Sequence, residues 1–171
     1  MAYSRISDAN EITARYMDSI LIKERLIDSV VADTGIDLFG ERFSSPVMTP
    51  AFSHLKQFNG RDLTGLEEYS VAAKDLNILN FVGMMETDMF KCITDTGAKT
   101  VRIVKPYADN LKVRDQMKFA EDNGAVAIGM DIDHIFGNEG LDVVVGELMT
   151  VQTSDMIRSY IESTKLPFVD D

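Results

Sequence analysis

The chain has 171 residues, a formal net charge of −11, and a hydrophobic fraction of 45%. This composition is typical of a globular protein with a substantial core, and it excludes a disordered chain. The excess of Asp and Glu over Lys and Arg argues against nucleic-acid binding through the phosphate backbone.

No run approaches the about 18 apolar residues of a membrane span, and the first residues lack the apolar core of a signal peptide. We therefore expect a cytoplasmic protein without membrane segments. Cys92 is the single cysteine, which excludes a disulfide framework. The chain also lacks a Gly-rich dinucleotide fingerprint and a Walker-type phosphate loop, so neither NAD nor ATP is indicated.

The first part of the chain, residues 1–44, predicts a helix followed by a hairpin. The helix is expected over about residues 11–20. Residues 36–43 have the sequence Ile-Asp-Leu-Phe-Gly-Glu-Arg-Phe, in which Gly40 suits the tight turn of a hairpin. We expect this hairpin to cover one end of the sheet that follows.

From residue 45 onward, short apolar runs alternate with helical patterns, which predicts four βα units and a parallel sheet. The predicted strands cover residues 46–49, 80–83, 100–105 and 125–131, and the predicted helices cover residues 63–76, 87–96, 110–122 and 154–163. Residues 166–169 have the pattern of the start of a fifth strand. The order of the units predicts right-handed crossovers and one edge that carries all the carboxyl ends.

Two carboxylates mark the carboxyl end of the fourth predicted strand, in the stretch 129–134. Strand side chains alternate between faces, so Asp131 and Asp133 are expected on the same side. They can act as a general base and its partner, as metal ligands, or as polar contacts to a cofactor. The alternative is a solvated strand end. His134 follows and either titrates or binds metal near neutral pH, or is a surface loop residue.

Other candidate residues follow the remaining predicted strands. His54 lies in the first loop, where it contacts either a ligand or solvent. The pair Met84 and Met85 either lines a planar cofactor or packs in the core. Lys105 either neutralises an anionic cofactor or phosphate, or extends along the strand end into solvent.

In this arrangement the chain resembles the FMN-dependent α-hydroxy acid dehydrogenases and oxidases, a family that includes glycolate oxidase and lactate oxidase. The similar segments are residues 36–40, 45–49, 65–73, 95–99, 127–133 and 164–168. The family fold is a (β/α)8 TIM barrel with flavin at the carboxyl-terminal mouth, and the chain is similar to its first half. The resemblance therefore implies a single half-barrel domain over residues 1–171, with a helix and hairpin in 1–44 and four βα units in 45–171.

The resemblance also implies a set of flavin contacts. The residues that it places against FMN are Ala51, Phe52, Ser53, Gly83, Met84, Lys105 and Asp131. Asp133 falls on the family's active-site aspartate, which supports the catalytic histidine, and Asp133 and His134 are the candidate catalytic residues. Gly83 stands where the family usually has a hydroxyl, while Met85 and Lys105 stand where aromatic residues are common.

The family's fifth-strand lysine, its catalytic His and Arg pair, and its phosphate-binding loops would fall after Val169. The expected function is therefore an FMN-binding half barrel related to 2-hydroxy-acid oxidoreductases, acting as a homodimer. One alternative is a non-catalytic or split barrel fragment that needs a complementary half. Another is a metal-assisted lyase or hydrolase that uses Asp131, Asp133 and His134.

Overall fold

The structure is a computed structural model that describes residues 8–24, 26–57, 59–60, 62–85, 87–133, 135–137 and 140–170. The chain forms two compact units, Met1–Asp33 and Thr34–Asp171. Among the described residues, no helix has the length and apolar character required to cross a membrane.

The first unit contains helix α1, Ala9–Ser19, close to the predicted range. Asp8 caps its first turn, where the carboxylate accepts a hydrogen bond from the Asn10 N–H at 2.8 Å. Arg15 and Glu11 form an ion pair one turn apart. None of the helix side chains is buried. The contacts that stabilise the helix are therefore local ones, the Asp8 cap and the Glu11–Arg15 ion pair.

The second unit contains a hairpin, a parallel sheet with its helices, and two further small hairpins. In chain order its elements are β1 Ile36–Leu38, β2 Glu41–Phe43, α2 Gly65–Asp75, β3 Asn80–Val82, α3 Thr87–Asp95, β4 Thr100–Val104, α4 Asn110–Asp122, β5 Ala127–Met130, β6 Phe136–Gly137, β7 Gly140–Leu141, β8 Val143–Val144, β9 Glu147–Leu148, α5 Ser154–Ile161 and β10 Phe168–Asp170. The parallel sheet has the spatial order β10-β5-β4-β3. The small hairpins β6–β7 and β8–β9 lie in the segment predicted as a long loop.

The predicted first strand does not form a regular strand. Met48 and Phe52 make isolated parallel bridges to the β3 segment. Pro46 and Pro50 have no N–H to donate, so a continuous ladder cannot form here. The segment nevertheless occupies the position of a first strand beside β3, and β10 confirms the predicted fifth strand by pairing with β5. The prediction of an α/β half barrel with four βα units is confirmed.

The two faces of the sheet contribute to two separate cores, because strand side chains alternate between faces. The inner face packs against Phe43 of β2 through Leu79, Val101, Ile103 and Ala127. The outer face packs against the helices, and its buried residues include Val82, Val104, Ile128 and Met130 from the strands with Phe90, Ile93, Val113, Met117 and Tyr160 from the helices.

The β1–β2 hairpin covers the amino-terminal end of the sheet, as predicted. Phe39 and Gly40 form its turn with φ values of 53° and 79°, the backbone that a two-residue type I′ hairpin requires. The Ser44 N–H donates to the carbonyl of Asn77, just before β3, at 2.9 Å. Lys99, just before β4, pairs with the Glu41 side chain at 2.8 Å.

A buried polar cluster joins the first-strand segment to α2, β3 and β4. The Asn80 side chain donates to the hydroxyls of Ser70 at 3.0 Å and Thr100 at 3.2 Å, and it accepts from the Thr49 hydroxyl at 2.9 Å. The Ser70 and Thr100 hydroxyls donate in turn to backbone carbonyls. Because the amide uses both its donor and its acceptor groups, the cluster holds the segment beside β3 despite the broken ladder.

Gly129 leaves space that a side chain would fill in the inner core. A Cβ there would lie 2.8 Å from Val169 Cγ2 and closer still to Ile103 Cδ1. Gly129→Ala should therefore destabilise the fold by roughly 1–3 kcal/mol through overpacking, measured as a lower urea midpoint. Adding Ile103→Val, which removes Cδ1, should recover part of the loss. Equal destabilisation in the single and double variants would contradict this explanation.

Glu121 near the end of α4 should make stability depend on pH. Its carboxylate accepts hydrogen bonds from the Thr164 hydroxyl at 2.8 Å and the Lys165 N–H at 3.2 Å. These bonds lower the pKa of Glu121 below its ordinary value, the Thr164 bond most strongly. The stabilisation is therefore present above that ordinary pKa and is lost as pH falls through the lowered value.

We expect Glu121→Gln to be less stable than the wild type at about pH 7, with a smaller difference at about pH 3, because the stabilisation by the wild-type carboxylate weakens as the pH falls towards its lowered pKa. Urea unfolding at both pH values measures the effect. A difference that stays constant would contradict a role for the Glu121 charge.

Candidate functional site

The carboxyl ends of β4 and β5 bring Lys105 and Asp131 together. Each residue directly follows its strand, and the Asp131 N–H donates to the Val104 carbonyl at 3.2 Å, which continues the ladder by one residue. By strand alternation both side chains lie on the inner face. Lys105 Nζ and Asp131 Oδ2 form an ion pair there.

This ion pair is largely shielded from water, since the Lys105 and Asp131 side chains are 12% and 24% exposed. The Lys105 side chain therefore does not extend into solvent, which was one of the two interpretations of this residue. Removing one partner would leave a poorly solvated charge on the other. The arrangement places a hydrogen-bond donor and an acceptor side by side at the mouth of the half barrel.

A second group of predicted residues meets around Gly83. The Gly83 N–H donates to the Phe52 carbonyl at 2.9 Å, and the Met84 N–H donates to Ser53 Oγ at 3.1 Å. A Cβ on Gly83 would lie 2.5 Å from Ser53 Oγ and 2.8 Å from the Ala51 carbonyl oxygen. The missing side chain thus allows the loop after the first-strand segment to lie directly against the end of β3.

Phe52 in this loop is partly exposed and contacts Tyr69 of α2, with the ring centroids 5.8 Å apart. Burial raises the pKa of the Tyr69 phenol, and a hydrogen bond with Thr49 opposes that shift. The phenol is therefore neutral at physiological pH. The two rings form a neutral wall beside the loop.

Arg102 supports the segment after β3 from the outer face and was not among the predicted site residues. Its guanidinium donates to the carbonyls of Gly83 at 2.5 Å and Met85 at 2.8 Å, and it lies 5.5 Å from the centre of the Phe90 ring. The side chain is buried. The sequence could have indicated Arg102, because it is the one charged residue in the apolar strand at residues 100–104. A guanidinium buried in such a strand needs fixed hydrogen-bond acceptors.

The two candidate catalytic residues lie beyond the regular strand. β5 ends at Met130, one residue earlier than predicted, so the strand alternation used to orient Asp133 does not extend to it. Asp133 is exposed, whereas Asp131 is half-buried. His134 lies outside the described residues. Within the described part of the chain, no three His, Cys, Asp or Glu side chains are placed to hold a metal ion.

A separate cavity of about 560 Å³, here called the outer cleft, opens between the carboxyl-end loops and the first turns of α2, α3 and α4. Its lining residues are Ser53, His54, Leu55, Thr64, Leu66, Met84, Met85, Thr87, Asp88, Met89, Tyr107, Lys112, Gln116 and Val145. The structure therefore places His54 and the Met84–Met85 pair on a cavity. Neither Lys105 nor Asp131 lines it.

No protein-family model matches the sequence, and no curated protein sequence matches it. Solved structures of mandelate oxidase have a similar fold. Mandelate oxidase itself has a TM-score of 0.71 and 19% identity, covering 87% of this chain and 49% of the oxidase. A variant described with a monooxide FMN adduct has a TM-score of 0.72 and 22% identity, covering 87% and 46%.

A variant described with (S)-mandelic acid has a TM-score of 0.73 and 20% identity, covering 88% of this chain and 48% of that chain. The chain thus spans about half the length of these oxidases. At these identities the similarity establishes the fold. The protein has the fold of about half of the mandelate oxidase barrel, which confirms the resemblance to the α-hydroxy acid oxidases at the level of structure.

Proposed function

We propose that this protein binds FMN at the carboxyl ends of its parallel strands and is related in function to the 2-hydroxy-acid oxidoreductases. The observation that carries the proposal is the shielded Lys105–Asp131 pair on the inner face at this edge. The shared half-barrel fold supports it, because mandelate oxidase structures of the same fold are described with an FMN adduct and with (S)-mandelic acid.

The chemistry of these residues fits a flavin ring. The pyrimidine part of the ring has carbonyl and imine acceptors beside one N–H donor. Lys105 offers an ammonium donor and Asp131 a carboxylate acceptor next to each other. Gly83 lets the Ala51–Ser53 loop, which carries three of the residues that the resemblance places against FMN, lie directly against the end of β3. When bound, FMN would supply the redox chemistry.

The protein residues have separate roles in this proposal. Lys105 donates to the ring, Asp131 orients the Lys105 ammonium and accepts from the ring, and Arg102 holds the Gly83 carbonyl from the outer face. Asp133 follows β5, and His134 is the next residue of the sequence; these two are the proposed catalytic residues. The proposed substrate class is a 2-hydroxy acid.

The number of parallel strands in the sheet indicates what kind of partner could complete the barrel. The described residues provide five parallel segments side by side: the first-strand segment, β3, β4, β5 and β10. An eight-stranded barrel needs three more strands. Two copies would bring ten segments together, whereas a complementary half with three strands, on the same or another polypeptide, would close the barrel. We therefore favour a complementary half over the homodimer expected from the sequence, and assign the FMN phosphate contacts to that half.

Replacing Lys105 tests the flavin site. Lys105→Met should weaken FMN binding by about tenfold or more, because a charge-assisted hydrogen bond to the ring is lost. Riboflavin should lose a similar factor, since an ammonium already neutralised by Asp131 is assigned to the ring and not to the phosphate. Titration of the purified chain followed by flavin absorption and fluorescence measures both affinities.

Lys118→Met is the matched control, because Lys118 lies on the surface of α4 and pairs with Asp122. It should leave both flavin affinities unchanged. Wild-type protein that binds neither flavin, or Lys105→Met that binds both normally, would contradict the proposal.

The solution mass tests the partner. Light scattering on the purified chain should give a mass near 19.1 kDa, with unpaired sheet edges available to a complementary half. A mass of twice that value, unchanged on dilution, would instead support the homodimer. Amide hydrogen exchange at β10 then distinguishes a covered edge from an open one.

A further inference from the structure

The outer cleft has the size and lining of a small-molecule site. Its volume of about 560 Å³ lies within the range of about 300–1,000 Å³ typical of ligand pockets. The thioethers of Met84, Met85 and Met89 and the ring of Tyr107 lie among its lining groups. Such groups pack favourably against the faces and edges of aromatic rings. The lining therefore favours a flat aromatic ligand.

Lys112 of α4 places a positive charge on the wall of this cleft. Its ammonium lies 4.8 Å from the centre of the Tyr107 ring and 2.7 Å from the Glu147 carboxylate of β9. The Lys112 and Glu147 side chains are 34% and 40% exposed, so their ion pair is weak and a ligand carboxylate can take the place of Glu147 at little cost in free energy. The nearby Asp88 carboxylate accepts a hydrogen bond from the Met89 N–H at 2.8 Å. An anionic group of a ligand can therefore replace Glu147 beside Lys112.

Val145 lines the cleft from a strained turn. Val145 and Gly146 join β8 to β9 with φ values of 52° and 79°. A positive φ is unfavourable for a β-branched residue, and Asn or Gly is the usual residue at this position of a two-residue hairpin. The Val145 side chain is also 72% exposed. An apolar side chain is thus held at the edge of the cleft by an unfavourable backbone conformation.

The β1–β2 hairpin offers a direct comparison. Phe39 has nearly the same φ, 53°, and is likewise followed by glycine. The Phe39 ring packs against the inner core, and that contact offsets the backbone strain. Neither core cluster of the described residues includes Val145. The strain at Val145 therefore lacks the compensating packing that Phe39 has, as expected of a side chain whose contact is with a ligand.

We propose that the outer cleft binds a small aromatic anion. The aromatic ring lies among the three methionines and Tyr107, the anionic group lies at Lys112, and Val145 covers the ring. This site is separate from the Lys105–Asp131 pair and does not depend on flavin binding.

The first test uses the methionine methyl groups as local reporters. The chain has ten methionines, and ¹³C-methyl-methionine labelling allows each signal to be assigned with a Met→Leu variant. Titration with 2-naphthoate should shift the signals of Met84, Met85 and Met89 in a saturable manner. The exposed Met17 and Met48 serve as controls and should not shift.

The second test uses Val145→Asn. This change relieves the backbone strain and removes the apolar contact, so it should raise the Tm and weaken 2-naphthoate binding by about threefold or more. The two effects have opposite signs. A residue with a purely structural role would not show this combination.

The third test separates charge from apolar contact. Lys112→Met should weaken 2-naphthoate by about fivefold or more, and the neutral 2-naphthylmethanol by less than about twofold. Lys118→Met on the same helix should change neither affinity. Unsaturable shifts that include Met17 and Met48, or unchanged 2-naphthoate affinity in either Val145→Asn or Lys112→Met, would overturn the proposal.

Discussion

The parallel pairing of β3, β4, β5 and β10 is the constraint on which the rest of the structure depends. The register Val104↔Met130 between β4 and β5 places the next residue of each strand side by side. Alternation then directs Lys105 and Asp131 to the inner face, while Val104 and Met130 face the helices. One backbone arrangement thus builds both cores and positions the polar pair at their common edge.

The inner face depends on small residues at two points, for the same steric reason. Gly129 leaves space for Ile103 and Val169 within the core, and Gly83 leaves space for the Ala51–Ser53 loop at the mouth. Arg102 then fixes the end of β3 from the opposite face by binding its carbonyl groups. A buried guanidinium requires such acceptors, so the core and the site stabilise each other.

The two candidate sites lie on different sides of the same sheet. The Lys105–Asp131 pair belongs to the inner face, whereas the outer cleft lies among the first turns of the helices and includes Tyr107 of the outer core. Both lie at the carboxyl ends of the strands, where α/β folds place ligands because loops meet helix N-termini there. A flavin and a separate aromatic anion would therefore occupy neighbouring sites, with Ser53 and Met84 lying between them and Lys105 belonging to the flavin site alone.

The sequence by itself determined the βα order, the Phe39–Gly40 turn and the bounds of α4, because hydrophobic periodicity and turn residues are local signals. It indicated Lys105 and Asp131 separately, as charges at strand ends. Only the tertiary structure decided that they pair, since residues 26 positions apart meet through the β4–β5 register. The role of Arg102 was also decided there, because its acceptors, the Gly83 and Met85 carbonyls, are distant in the chain. The broken first strand and the β8–β9 hairpin have local causes, but the prolines of the first lie within an apolar run and the turn of the second has Val145 where Asn or Gly is usual.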